Sequence, residues 1–240
     1  MPKLLWLPLW LLLVGGAWGQ YVPTVPATHT GGGGGNPTIL QSGTCGTTSS
    51  TCSLTFGAAV TAGDYLLCYA FGPGNSTGVS CTMTGETITR RTGAAGCSNA
   101  TGYEGDCYVA TNAVGGQTVI TCTMSTGSDG ICAFADISSP SGGHAIDTGG
   151  NAHSTTTAMS VATNAATTVA NDICIGMAGN SFASGTYSSL SWTQVINVAN
   201  SGGTILLEST VPGSTGTQTA TATAQVGVTN QPEGVICLKP

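Results

Sequence analysis

Gly74-Asn75-Ser76-Thr77-Gly78 has the G-x-S-x-G spacing that can present a serine nucleophile at a sharp turn. That turn must lead from a strand into a helix, so that neighbouring N–H groups can stabilise an oxyanion. Here the strand-like Val79-Ser80-Cys81-Thr82-Met83 follows, and in a chain with 37 glycines the motif reads as a turn. His144 and His153 stand beside Asp136, Asp147 and Asn151 around the loop-like segment SSPSGGHAIDTGGNAHS. Imidazoles suit a transition metal, and carboxylates with an amide suit Ca²⁺. The spacing matches neither a helical H-x-x-x-H nor an EF-hand, so a solvated loop is preferred. Asp136, Asp147 and Asn151 remain weak Ca²⁺ candidates, and the sequence calls for no other cofactor. A glycosidase needs two carboxyls roughly 5–10 Å apart. Glu86, Glu104, Asp106, Asp136, Asp147 and Glu208 form the available pool, too scattered for a pair to be named. Tyr103, Tyr187 and Trp192 flank glycine-rich turns, where an exposed ring could stack on the C–H face of a sugar. They are the candidate binding residues, although Trp192 also suits a half-buried strand position.

These residues sit in a chain of 240 residues with only 6% charged side chains, 4 basic and 10 acidic. An average soluble domain carries about 25%. Such a composition excludes a coiled coil, charge-rich disorder and a nucleic-acid binder relying on a basic patch. It also leaves little material for acid–base chemistry, which weighs against an enzyme.

Lys3, the apolar run Leu4–Val14 and the small-residue site Ala17-Trp18-Gly19 predict a signal peptide over residues 1–19. The run is too short to span a bilayer, which takes about 20 residues. A secreted, extracellular or cell-surface location follows, without a transmembrane anchor. All ten cysteines lie downstream, and an even count in an exported chain favours disulfides. No C-x-x-C occurs, which argues against structural zinc. Short spacing suggests Cys45–Cys52 and Cys97–Cys107. Cys68, Cys132, Cys174 and Cys237 lie inside apolar runs, where bridged cysteines and buried free thiols fit equally well.

Residues 20–37, with three prolines and five consecutive glycines, read as a flexible linker. Residues 38–240 read as a single domain of short strands: Thr38–Gln41, Ser53–Phe56, Asp64–Phe71, Gly78–Met83, Thr87–Arg91, Gly105–Ala110, Thr118–Met124, Gly130–Ile137, Ala158–Ala162, Asp172–Ala178, Trp192–Asn197, Thr204–Thr210, Gln218–Gln225 and Gly234–Leu238. Gly/Ser/Thr/Asn clusters separate them, which predicts an all-β antiparallel sandwich of the jelly-roll kind. Thr217, Thr219, Thr221 and Thr223 alternate, as on a solvent-facing edge, and no fixed repeat period is evident. Asn75-Ser76-Thr77 and Asn99-Ala100-Thr101 are sequons, which matter only on a eukaryotic secretory route.

Ala62-Gly63-Asp64-Tyr65-Leu66-Leu67, Gly85-Glu86-Thr87-Ile88-Thr89-Arg90, Tyr108–Gly116, Ala170-Asn171-Asp172-Ile173-Cys174-Ile175-Gly176 and Ser191-Trp192-Thr193-Gln194 occur in that order. Over residues 38–240 this order resembles a group of secreted bacterial β-sandwich proteins without an assigned function. The resemblance implies the fold and an exported location, and no activity. The chain departs from that pattern in its many cysteines and in Ile88, where an aromatic is common. The expectation is a non-catalytic surface or extracellular module that binds glycans or copies of itself. A secreted hydrolase of polysaccharide or ester bonds is the alternative.

Overall fold

The computed structural model describes residues 35–47, 50–73, 79–93, 96–97, 103–124, 130–142, 144–181, 184–200, 202–226 and 231–240. The segment expected to be a signal peptide, most of the expected linker, the Ser76 motif and both sequons lie outside this set.

The described residues form antiparallel sheets with almost no helix. The first half holds β1 (Ile39–Thr47), β2 (Thr51–Thr55), β3 (Tyr65–Pro73), β4 (Ser80–Met83), β5 (Thr89–Arg90), β6 (Tyr103–Ala110), β7 (Val119–Thr123) and β8 (Gly130–Ile137). The second holds β9 (Ile146–Ser154), β10 (Ala158–Ala162), β11 (Ile173–Asn180), β12 (Tyr187–Ser188), β13 (Thr193–Asn200), β14 (Gly203–Thr210), β15 (Thr219–Ala224) and β16 (Gln231–Leu238). The segment read as a loop around His144 and His153 is in part the strand β9. Its glycines misled the reading: Gly150 packs so closely on the Ala162 carbonyl that a Cβ would lie 2.0 Å from the oxygen.

The strand orders reveal a duplication. The first half builds a large sheet β1-β8-β3-β6-β5 and a small one β2-β7-β4. The second builds β9-β16-β11-β14-β13 and β10-β15-β12, the same orders strand for strand. Registers agree as well: Ile39 faces Ile137 as Ile146 faces Leu238, and Cys52 faces Cys122 as Met159 faces Ala222. Even an irregularity recurs, between Ile39 and Gln41 in β1 and between Ile146 and Thr148 in β9. The duplication leaves no fixed repeat period in the sequence. Strand pairing asks only for alternating small or apolar side chains, and different residues meet that demand in each half.

Three buried clusters separate four layers. The central cluster joins the two large sheets, with Tyr65, Leu67, Tyr69 and Phe71 of β3 against Ile175 and Met177 of β11 and Ile205 and Leu207 of β14. Each fully buried side chain of this size contributes on the order of 2 kcal/mol of transfer free energy. The other clusters lie between each large sheet and its own small sheet. The layer positions explain the sequence patterns: β8, β11 and β16 are buried on both faces, whereas β2 and β10 alternate between exposed and buried. Thr219, Thr221 and Thr223 occupy the outward face of β15, the middle strand of its sheet rather than an edge.

Four disulfides are present. Cys45–Cys52 and Cys97–Cys107 have the short spacings, and Cys81–Cys122 and Cys174–Cys237 link neighbouring strands. Cys68 and Cys132 are free and buried.

Candidate functional site

The edge strands β1 and β13 of the two large sheets flank an open groove of about 410 Å³. It is lined by Thr38, Ile39, Ile173, Thr193, Gln194, Val195, Ser209, Thr210 and Val211, with Pro37 at one end. A recess of about 90 Å³ extends along the same two strands, between Ser42, Gly43 and Thr44 of β1 and Gln194–Val198 of β13. Ile39, Val195 and Val211 pack on the central core and give the groove an apolar floor. The pairing of β13 with β14 shifts between Gln194 and Ile196, so Val195 is the extra residue of a bulge, a device that re-aims a side chain. Hydroxyl and amide groups of Thr38, Thr193, Gln194, Ser209 and Thr210 supply polar contacts, and among the described residues no charged side chain lines either cavity.

The duplication shows why this groove is open. Ile173 faces Leu238 at the start of β11 as Tyr65 faces Ile137 at the start of β3, so the two residues are equivalent. At the opposite edge, Tyr65 is fully buried. Its hydroxyl accepts from the Ala145 amide at 2.9 Å and lies 2.9 Å from the Lys239 carbonyl and 3.2 Å from that of Ala145. A tyrosine ring fills there what an isoleucine leaves free here.

Two carboxyl pairs lie at corresponding strand ends. In the first half Asp136 accepts from Gln41 Nε2 at 2.9 Å and lies beside Asp64. Burial, outweighing the Gln41 hydrogen bond and reinforced by Asp64, pushes Asp136 up to about 7. In the second half Asp172 meets Asp147. Burial, with the Asp147 carboxylate beside it, pushes Asp172 up to about 8. Burial would raise Asp147 too, but hydrogen bonds from Asp172 and Thr168 and the Lys239 ammonium at 3.2 Å bring it to about 2. Each pair therefore shares a proton near neutrality, as adjacent carboxyls must. Asp64, Asp136 and Asp172 are buried, and the Asp147 side chain is 2% exposed. None of the four lines the groove.

The Ca²⁺ candidates do not converge. Asp136 is engaged with Gln41, Asp147 with Thr168 and Lys239, and Asn151 donates to the Gly96 carbonyl. Among the described residues, the groups of three potential metal ligands consist of cysteines alone. His144 adopts φ 41° beside Gly63, and His153 lies within β9 opposite Pro232. The remaining acids hold structure. Glu86 accepts from the Val114 and Gly115 amides, Asp106 pairs with Arg90 at 2.6 Å, and Glu208 accepts from the Trp192 amide at 3.0 Å. Glu104 lies in β6, and its side chain is outside the described set.

Of the aromatic candidates, Tyr187 is 3% exposed within the outer core of the second half, which leaves no ring face for a sugar. Its burial follows from the register, since Tyr187 faces Ala224 across β15 and the small alanine leaves it room. Trp192 is half-buried against the same cluster. Tyr103 opens β6 opposite Pro73, and its side chain is outside the described set. The exposed large hydrophobic residues among those described are Val114, Val119 and Val169. The candidates are thus dispersed. Sequence reasoning passed over Gln41, Asp64, Ile173 and Asp172, for which the recurring Ala-x-Asp before an apolar run (Ala62-Gly63-Asp64, Ala170-Asn171-Asp172) was the available signal.

Compared with known proteins, the chain matches no family model, no curated protein and no solved structure. No helix among the described residues is long and apolar enough to cross a membrane.

Proposed function

We propose that this is an exported, non-catalytic module that binds an uncharged polyhydroxylated chain, a glycan, in the groove between β1 and β13. In this reading each half is a jelly roll, and the pair of large sheets is a β-sandwich. The carrying observation is the open, charge-free groove with an apolar floor and hydroxyl and amide walls, at an edge whose counterpart is closed by Tyr65. Such a lining hydrogen-bonds sugar hydroxyls and accepts C–H faces without an ion pair. Recognition rests on Gln194, Thr193, Thr210 and the aliphatic floor rather than on aromatic stacking. Four disulfides suit an oxidising compartment.

A glycan-array screen of the mature protein, paired with Ile173→Tyr, tests the proposal. The other half already accommodates tyrosine at the equivalent position, so the variant should fold and lose at least tenfold in affinity. Unchanged binding by a folded Ile173→Tyr protein would place the ligand elsewhere. Concentration-dependent self-association that Ile173→Tyr abolishes would instead make a second copy the occupant.

A hydrolase is the second reading, favoured by the gap between the pKa values of the adjacent Asp147 and Asp172, one an ionised base and one a protonated acid near neutrality. Their burial under Lys239 and Thr168 stands against it. Turnover of a pooled polysaccharide or ester substrate, abolished by Asp172→Asn, would replace the binding reading.

A further inference from the structure

Six of the ten cysteines, Cys45, Cys52, Cys68, Cys81, Cys122 and Cys132, lie in one buried cluster between the large and small sheets of the first half. The equivalent layer of the second half holds the same strand pairing with other residues at the matching positions. By register Cys45 corresponds to Ala152, Cys52 to Met159, Cys68 to Gly176, Cys122 to Ala222 and Cys132 to Glu233. The fold therefore does not require this concentration of thiols.

The bonding state is incomplete in a specific way. Two disulfides, Cys45–Cys52 and Cys81–Cys122, each have a free thiol beside them. The sulfurs of Cys45, Cys52 and Cys132 all lie within 4.8 Å of one another, as do those of Cys68, Cys81 and Cys122. Cys132 also faces Cys45 directly across the β1–β8 ladder. Cys45 thus has two partners in reach, Cys52 on the small sheet and Cys132 on its own sheet.

We infer that these cysteines form an internally rearranging disulfide set, in which Cys132 takes Cys45 from Cys52. The Cys132 thiolate attacks the Cys45 sulfur, the Cys45–Cys52 bond breaks, and a Cys45–Cys132 bond forms. Cys52 leaves as a thiolate and takes up the proton that Cys132 released. The number of disulfides is unchanged, and no outside oxidant or reductant takes part. The exchange converts a bridge between two sheets into one within the large sheet, which frees β2 from its covalent tie to β1. Cys68 stands in the same relation to Cys81–Cys122, where exchange would create a bridge between the sheets. Burial holds both free thiols protonated, so the rearrangement is slow in the closed structure and proceeds when the small sheet opens.

Cys52→Ser tests this directly. Cys132 should take the vacated place, giving a Cys45–Cys132 bridge and one reactive thiol, Cys68, under denaturing, non-reducing conditions. Three thiols, on Cys45, Cys68 and Cys132, would overturn the inference. A measurement on the unaltered mature chain is independent of how that variant folds. The chain is held at pH 8.5 in urea below its unfolding transition, quenched with acid, digested with pepsin and mapped by mass. A peptide joining Cys45 to Cys132 should accumulate with time, and Cys45 joined to Cys52 alone throughout would overturn the inference.

Discussion

The two halves of the molecule solve one architecture with different chemistry. Both use the same strand order and register, yet the outer layer of the first gathers six cysteines, while that of the second is packed with alanine and methionine beside buried Glu208 and Glu233 and a single disulfide, Cys174–Cys237. The first half supports Asp106 with Arg90, and the equivalent positions of the second hold Leu206 and Gln194. One edge is closed by Tyr65, and the other is left open at Ile173. Backbone pairing thus fixes where side chains point, and leaves their chemistry free wherever volume and hydrogen bonding are satisfied.

The acid pairs give the largest test of this contrast. Asp136 and Asp172 have folded pKa values of about 7 and about 8, above the ordinary 3.8. Their stabilising contribution is complete below pH 4 and is lost as pH rises through 7 and 8. Asp147, lowered to about 2, acts oppositely and is stabilising above pH 4. Stability should peak near pH 4 and fall by several kcal/mol towards pH 8. In urea denaturation across this range, Asp136→Asn should remove the part lost by pH 7, and Asp172→Asn the part extending to pH 8. Stability that rises from pH 4 to 8 would contradict the shared protons.

Transplanting one half's solution into the other comes next. Arg90→Gln leaves the buried Asp106 carboxylate without its ion pair and should cost about 3 kcal/mol. Adding Asp106→Leu, which completes the pair found in the second half, should recover more than half of that loss. Chemical denaturation of both variants decides it, and a double variant no more stable than the single would break the equivalence.

The smallest effect compares two equivalent glycines. Gly43 faces Phe134 as Gly150 faces Val235. A Cβ on Gly150 would meet the backbone oxygen of Ala162, whereas one on Gly43 would meet the flexible end of Leu54 at 2.9 Å. Gly150→Ala should cost about 2 kcal/mol and Gly43→Ala less than half as much, read as shifts in melting temperature.

Much of the fold was legible in the sequence because strands leave a local mark. Gly130–Ile137 and Ala158–Ala162 were delimited correctly from apolar content and turn residues alone. β9 was lost because its Gly149-Gly150 pair carries the composition of a turn, whereas its cause is a close approach by a distant backbone. β12 is two residues long, too short for any periodicity. The candidate site was barely legible, since Ile173 and Tyr65 are equally ordinary strand residues until the sheet opposite each is known.

The sequence by itself determined the all-β character, the short disulfides and the scarcity of charge, all of which depend on residue type and near neighbours. Only the tertiary structure decided the duplication, the pairing of Asp136 with Asp64 and Asp172 with Asp147, the two thiols left beside disulfides, and the open groove. Each of these joins residues distant in the chain, and that proximity is set by sheet register and layer stacking rather than by any local pattern.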